Sequence, residues 1–157
     1  MDQINTISIN QQLIGEILIK RNIITKKQLE EALLLQKKEK EFVGAILVKL
    51  GYLKESDIVV ALIVQCGLPY IAVTKYSIDM SVIKLIPEEL ARSLHLIPLD
   101  KVGEVLSVVM TNPLNVDMKE QLEKISGCRI ATFIATRTEI DEAINRYYRK
   151  DNKHGNV

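Results

Sequence analysis

The sequence predicts an α+β chain: an N-terminal helical subdomain built from two tandem helix-turn-helix motifs, then a small α/β subdomain of about three to four strands. Three observations predict it. Residues 13–36 (LIGEILIKRNIITKKQLEEALLLQ) and 42–65 (FVGAILVKLGYLKESDIVVALIVQ) align at an offset of 29 with seven identities: Gly15/Gly44, Ile17/Ile46, Leu18/Leu47, Lys20/Lys49, Ala32/Ala61, Leu33/Leu62 and Gln36/Gln65. The texture then breaks at Gly67-Leu68-Pro69. Beyond that break, short β-rich runs alternate with helical patterns. The expected division is 10–66 for the repeat, 67–149 for the α/β subdomain and 150–157 for a frayed tail or linker.

Each 24-residue copy reads as helix, tight turn, helix, and a five-residue spacer, Lys37 to Glu41, joins the two. Ile14, Ile17 and Leu18 fall at i, i+3 and i+4, the spacing of an apolar helical stripe. Lys20-Arg21 followed by Asn22 is a helix stop, because cations suit the last turn and Asn tolerates the left-handed backbone beyond it. Thr25 and Gln28 have the spacing of a capping box. Leu29, Ala32, Leu33 and Gln36 give the second stripe. In the second copy Lys49-Leu50-Gly51 repeats the stop, and Ile58, Ala61, Leu62 and Gln65 repeat the stripe. Lys54 replaces Thr25, so the cap is expected to move to Ser56. Neither hairpin can bury its stripe alone, which predicts a pseudo-symmetric four-helix unit.

In the second subdomain Tyr70–Val73 is expected as a strand and Ser81–Ile86 as a short helix. Pro87-Glu88-Glu89 opens another helix, with proline in the first turn and acids at the positive end of the dipole. Leu96–Leu99 and Val105–Met110 read as strands joined by the glycine-containing stretch Asp100–Glu104. Asn112–Asn115 is a turn, Val116–Ser126 a helix stopped by Gly127, and Arg129–Ile134 a strand. Thr136 caps a last helix running through Asn145.

Charge and composition exclude several classes. With 21 basic and 20 acidic residues the net charge is +1, which lacks the electrostatic footprint of a dedicated DNA- or RNA-binding domain. Cys66 and Cys128 have no histidine near them in ligand spacing, so no metal site is expected and both read as small buried hydrophobes. The absence of a disulfide framework points to a reducing compartment. Met1–Asn10 has neither the basic nor the apolar region of a signal peptide, and no apolar run approaches a membrane span, so a soluble cytoplasmic protein is expected. The sequence contains no Walker phosphate loop and no nucleophile elbow. Acidic pairs such as Glu30-Glu31, Glu88-Glu89 and Asp141-Glu142 are adjacent and do not share a helix face. His95, between a helix and a strand, reads as a partly buried structural histidine. No catalytic residue is expected.

Gln36 and Gln65 end apolar stripes where a polar side chain is unexpected. They either satisfy backbone groups at the helix ends or bond a ligand carried by the repeat. Gly15 and Gly44 lie inside helices, at a cost of about 1 kcal/mol each relative to alanine. Close approach of the two hairpins, or of a ligand, would offset that cost.

The paired motifs, with Ala91–Leu99, the strand Leu106–Met110, Asn-Pro-Leu-Asn at 112–115 and Ile140–Tyr148, resemble the N-terminal domain of type II secretion and type IV pilus assembly ATPases. That family carries two tandem 24-residue motifs with a five-residue spacer, and the resemblance spans about residues 10–150. It implies a non-catalytic docking and regulatory module, peripheral to the inner membrane through protein partners. The implied partners are cytoplasmic parts of the inner-membrane platform, with an ATPase core in cis or in trans; neither nucleic acid nor direct membrane insertion is implied. The alternative it implies is a cyclic di-GMP-binding domain. Carried over to this sequence, the motif positions are Leu13, Gly15, Leu18, Leu29, Leu33, Gln36, Phe42, Gly44, Leu47, Ile58, Leu62 and Gln65. The family motif begins Arg-Leu-Gly, whereas the matching triplets here are Leu13-Ile14-Gly15 and Phe42-Val43-Gly44. Both arginines are absent. An arginine fork can pair bidentately with guanine or phosphate and stack on a base, and leucine can do neither. Binding is therefore expected to be weak or absent. Lys20, Arg21, Lys37, Lys38, Lys40 and Lys49 stand near enough in sequence to compensate, or simply form a solvated face.

Overall fold

The computed structural model describes residues 14–113 and 116–154. The chain divides into two compact units at the Gly67–Leu68 boundary.

The first unit is helical. Helix α1 covers 14–20 and is followed by α2 (Lys26–Glu39), α3 (Val43–Lys49) and α4 (Glu55–Cys66). The offset of 29 carries into three dimensions bond by bond. At the end of α1 the amides of Arg21, Asn22 and Ile23 donate to the carbonyls of Ile17, Ile19 and Leu18. At the end of α3 Leu50, Gly51 and Tyr52 donate to Ile46, Val48 and Leu47, the same three bonds 29 residues on. Asn22 adopts φ 58° and Gly51 φ 78°, so asparagine fills the left-handed turn position that glycine fills in the second copy. The core repeats too: Ile14/Val43, Leu18/Leu47, Ile24/Leu53 and Ala32/Ala61 are all buried.

The caps of the second helices differ. Thr25 Oγ1 accepts from the Gln28 amide while Gln28 Oε1 accepts from the Thr25 amide, a complete capping box on α2. On α4 the cap residue is Lys54, not Ser56 as the sequence suggests. Lysine has no acceptor to offer the helix, so only the return bond survives, from the Lys54 amide to Asp57 Oδ2 at 2.9 Å. The repeat geometry fixes where α4 starts, and the better capping side chain two residues on cannot move it.

The second unit contains a three-stranded sheet in the order β1-β2-β3, formed by β1 (Leu96–Val102), β2 (Val105–Met110) and β3 (Arg129–Ile134). β1 and β2 pair antiparallel, with an irregularity between Pro98 and Asp100. β2 and β3 pair parallel, and the crossover contains α7 (Val116–Ser126). The short helices α5 (Met80–Ile83) and α6 (Glu88–Leu94) precede β1, and α8 (Arg137–His154) follows β3. Leu96, Ile97, Leu106, Val108, Val109 and Ile140 are fully buried in this unit's core.

Three expectations for this unit are corrected. Tyr70–Val73 is not a strand: Tyr70 alone bridges to Ile134, and Val73–Lys75 turn into a 3-10 helix. Val73 is buried by that turn instead of by a sheet. β1 runs on to Val102, beyond the expected end at Leu99. The last helix does not stop at Asn145 but continues to His154, into the stretch read as a frayed tail. Its second half is held by long-range bonds: Tyr147 Oη donates to the Tyr76 carbonyl at 3.0 Å and accepts from the Ile78 amide at 2.9 Å. Tyr148 Oη donates to the Ile86 carbonyl at 2.8 Å.

Candidate functional site

The twelve motif positions divide sharply in the structure. Leu18 and Leu47 are fully buried at the centre of the first unit, and Leu29 and Leu62 are buried with them. Leu33, Phe42 and Ile58 are half-buried. Leu13 and the side chain of Gln65 lie outside the described residues. The apolar part of the motif is thus mostly scaffold.

Gly15 and Gly44 explain themselves within each hairpin. A Cβ on Gly15 would lie 2.7 and 2.8 Å from the two methyls of Leu29, and one on Gly44 would lie 3.0 Å from Ile58 Cδ1. The close approach is therefore between the two helices of one copy, α1 to α2 and α3 to α4. The expected partners are the other hairpin or a ligand, and the atoms that meet each glycine belong to its own hairpin instead. Gln36 Nε2 donates to the Glu41 carbonyl at 2.9 Å, tying the end of α2 to the spacer before α3.

Two further contacts hold the first unit, and neither has a local signal in the sequence. Lys49 Nζ meets Glu41 Oε2 at 2.5 Å and Glu39 Oε2 at 3.9 Å, so acids of the α2–α3 connection engage this lysine. Tyr52 Oη donates to Glu31 Oε2, and that bond raises the Tyr52 hydroxyl above its ordinary pKa. Lys20, Arg21, Lys37, Lys38 and Lys40 are exposed.

In the second unit His95 ends α6 in the left-handed conformation (φ 51°), and its Nδ1 lies 3.1 Å from Asp141 Oδ1. Arg137 approaches the other oxygen of Asp141 at 3.9 Å. Tyr70 Oη donates to Glu139 Oε1, which pushes the Tyr70 hydroxyl up to about 12. The other oxygen of Glu139 accepts from the Thr136 amide at 3.0 Å, in the cap of α8. Cys128 is buried as expected, whereas Cys66 is only half-buried at the end of α4, enough for burial to raise its thiol. Among the described residues no three His, Cys, Asp or Glu side chains gather as a metal site. No described helix is long and apolar enough to cross a membrane.

The MshEN domain family model matches residues 66–154, more than half of the chain. The chain belongs to the MshEN domain family. The match covers the α/β unit, while the tandem motifs lie ahead of it. Two curated relatives extend over both. The type IV pilus assembly ATPase PilB of Myxococcus xanthus is 35% identical over 135 residues, 86% of this chain and 24% of PilB. PilB of Thermus thermophilus is 28% identical over 146 residues, 92% of this chain and 16% of that protein. The chain spans about a quarter or less of the length of these relatives. Among solved structures, MshE with cdg (cyclic di-GMP) superposes with a TM-score of 0.70 at 29% identity, covering 86% of this chain and 98% of that one. The N-terminal domain of XpsE superposes with a TM-score of 0.76 at 20% identity, over 88% and 95%, and shares the fold. The α+β architecture is that of the MshEN domain, and the family ties the chain to type IV pilus assembly and secretion ATPases.

Proposed function

We propose that this chain is a non-catalytic docking and regulatory module of a type IV pilus or type II secretion ATPase, and that it engages cytoplasmic parts of the inner-membrane platform. The observation that carries the reading is the extended similarity to PilB, which includes the tandem repeat but only about a quarter of PilB's length. A module of this size, folded as two units of its own, is suited to present surfaces to partners while a motor elsewhere does the chemistry. On this reading the purified chain does not turn over ATP. Co-precipitation of the tagged chain with the cytoplasmic segment of a platform protein tests the docking. Retention above an unrelated control is expected, and no retention in either direction of capture contradicts the reading.

A second reading, cyclic di-GMP binding, is favoured by the similarity to MshE solved with that ligand. Under this reading the ligand lies along the motif of twelve positions, from Leu13 to Gln65, of which the buried Leu18, Leu29, Leu47 and Leu62 are its scaffold. The missing arginines oppose it: Leu13 and Phe42 stand where the family motif has its charged forks. Lys49, one possible substitute cation, is already engaged by Glu41. A weak or absent interaction is therefore the expectation.

A further inference from the structure

The two copies of the repeat have unlike hairpin tips. In the first, Lys20 and Arg21 end α1, and Lys26 and Lys27 begin α2; all four are exposed. The positions 29 residues on hold Lys49, Leu50, Glu55 and Ser56. Of these, Lys49 is engaged by Glu41 and Glu39. Four cations thus crowd one five-residue turn, while the matching turn is electrically balanced.

Lys26 and Lys27 are also misplaced for helix stability. They occupy the first turn of α2, which contains no acid, and cations at that end oppose the helix dipole. The first turn of α4 holds Glu55 and Asp57, the favourable arrangement. At Lys26 and Lys27 copy one keeps positive charge against the local preference that copy two obeys, which points to use of the charge outside the fold.

The character of the tip selects the occupant. Ile24 is buried and Ile23 half-buried, and the exposed large apolar side chains of this unit, Leu34, Val60 and Val64, belong to α2 and α4 and not to residues 20–27. Hot spots of protein interfaces are drawn mainly from Trp, Tyr and Arg packed into desolvated pockets; this turn offers neither Trp nor Tyr, and its one arginine, Arg21, is exposed. Three of the four cations are lysines, point charges on flexible stems instead of planar forks that recognise one carboxylate. Flexible point charges on exposed stems match a diffuse negative field. We propose that the α1–α2 turn is an electrostatic contact for the anionic headgroups of a lipid bilayer. The contact lies at the surface, without insertion. It goes beyond the docking reading and does not depend on it.

Each basic residue near an anionic bilayer strengthens binding roughly fivefold. The test is co-sedimentation of the 157-residue chain with vesicles of phosphatidylcholine, with or without about 30 mol% phosphatidylglycerol. Binding is expected only with the anionic lipid and should be reversed by high salt. Replacing all four residues (Lys20→Gln, Arg21→Gln, Lys26→Gln, Lys27→Gln) should weaken it by at least about tenfold. Lys49→Gln with Lys54→Gln should leave it within about twofold. In the pair Lys26→Gln, Lys27→Gln, relieving the dipole clash should keep the melting temperature level or raise it, so binding lost there will not reflect unfolding; in the quadruple variant the loss of Lys20 and Arg21 from the end of α1 offsets that gain. The pair Lys26→Gln, Lys27→Gln alone should weaken binding by roughly 25-fold at most and provides the reading if the quadruple variant misfolds. Equal binding to neutral and anionic vesicles overturns the proposal, as does undiminished binding of the variants. Retention on polyglutamate without vesicle binding also overturns it, placing an acidic protein at the tip.

Discussion

The two copies of the repeat share a path and differ in finish. Both turns close with the same three backbone bonds, and both bury leucine at the same central position, Leu18 and Leu47. Copy one has a complete capping box, a tight glycine contact and four cations on its turn. Copy two has half a capping box, a looser glycine contact and a lysine held by acids. What both keep is what the hairpin needs in order to form. What differs lies at the surface, where the copies are free to serve different ends.

The glycines give the largest stability contrast. Gly15→Ala drives a Cβ into both methyls of Leu29, a buried residue with little room to turn. Overpacking of that kind costs about 1–3 kcal/mol, against about 1 kcal/mol gained in helix propensity. A net loss of roughly 1 kcal/mol is expected by denaturant unfolding. Gly44→Ala meets only the far end of half-buried Ile58, so propensity should cancel or outweigh the contact and stability should hold or rise. Equal losses in both variants would break the comparison.

The caps give a contrast in the same sense, with copy one losing stability and copy two gaining it. Thr25→Ala should cost about 1 kcal/mol, because the box bonds are lost together. Lys54→Thr supplies the acceptor that α4 lacks and should add about 0.5–1 kcal/mol, with Asp57 already in place to complete the box. A Lys54→Thr variant less stable than the parent would show that the turn rejects the change for another reason.

In the second unit Tyr70 provides a pH test. Its hydroxyl bonds to Glu139 and titrates at about 12, raised above the ordinary 10. A raised pKa in the fold means that its contribution to stability is full below about pH 10 and is lost as pH climbs through about 12. Ultraviolet difference titration should show Tyr70 among the late-ionising tyrosines, beside Tyr52 which Glu31 also raises, and Glu139→Gln should bring Tyr70 alone back toward the ordinary range. An unchanged titration in that variant would remove Glu139 as the cause.

Much of the first unit was legible because its signals are local and occur twice. Asn22 announced a left-handed turn, and Thr25 with Gln28 announced a box; both lie within four residues of what they stabilise. The role of Gly15 was half legible: close approach was foreseen, but the partner Leu29 was not. Ser56 misled because it is a good capping residue, yet the repeat fixes the helix start at Lys54. In the second unit the failures trace to distant partners. A strand needs a neighbour, and the expected strand meets β3 only around the Tyr70 bridge, its last bond running from the Ile71 amide to the Ile134 carbonyl before the chain turns into a 3-10 helix. The extension of α8 depends on Tyr147 and Tyr148 reaching carbonyls more than 60 positions away in sequence, which no periodicity encodes. At the candidate site, Gln36 had two readings open, backbone holder or ligand contact; its amide does bond a backbone carbonyl, and that carbonyl belongs to the spacer at Glu41.

The most direct test of the account is a calorimetric titration of cyclic di-GMP into this chain, beside the double variant Leu13→Arg, Phe42→Arg. Each missing bidentate contact is worth roughly 1–3 kcal/mol, so two losses should weaken binding by about 30-fold to 10⁴-fold. The account predicts little or no heat from the parent chain and recovered binding in the double variant, since the buried scaffold around Leu18, Leu29, Leu47 and Leu62 is in place. Tight binding by the parent would contradict it and make the chain a cyclic di-GMP receptor in its own right.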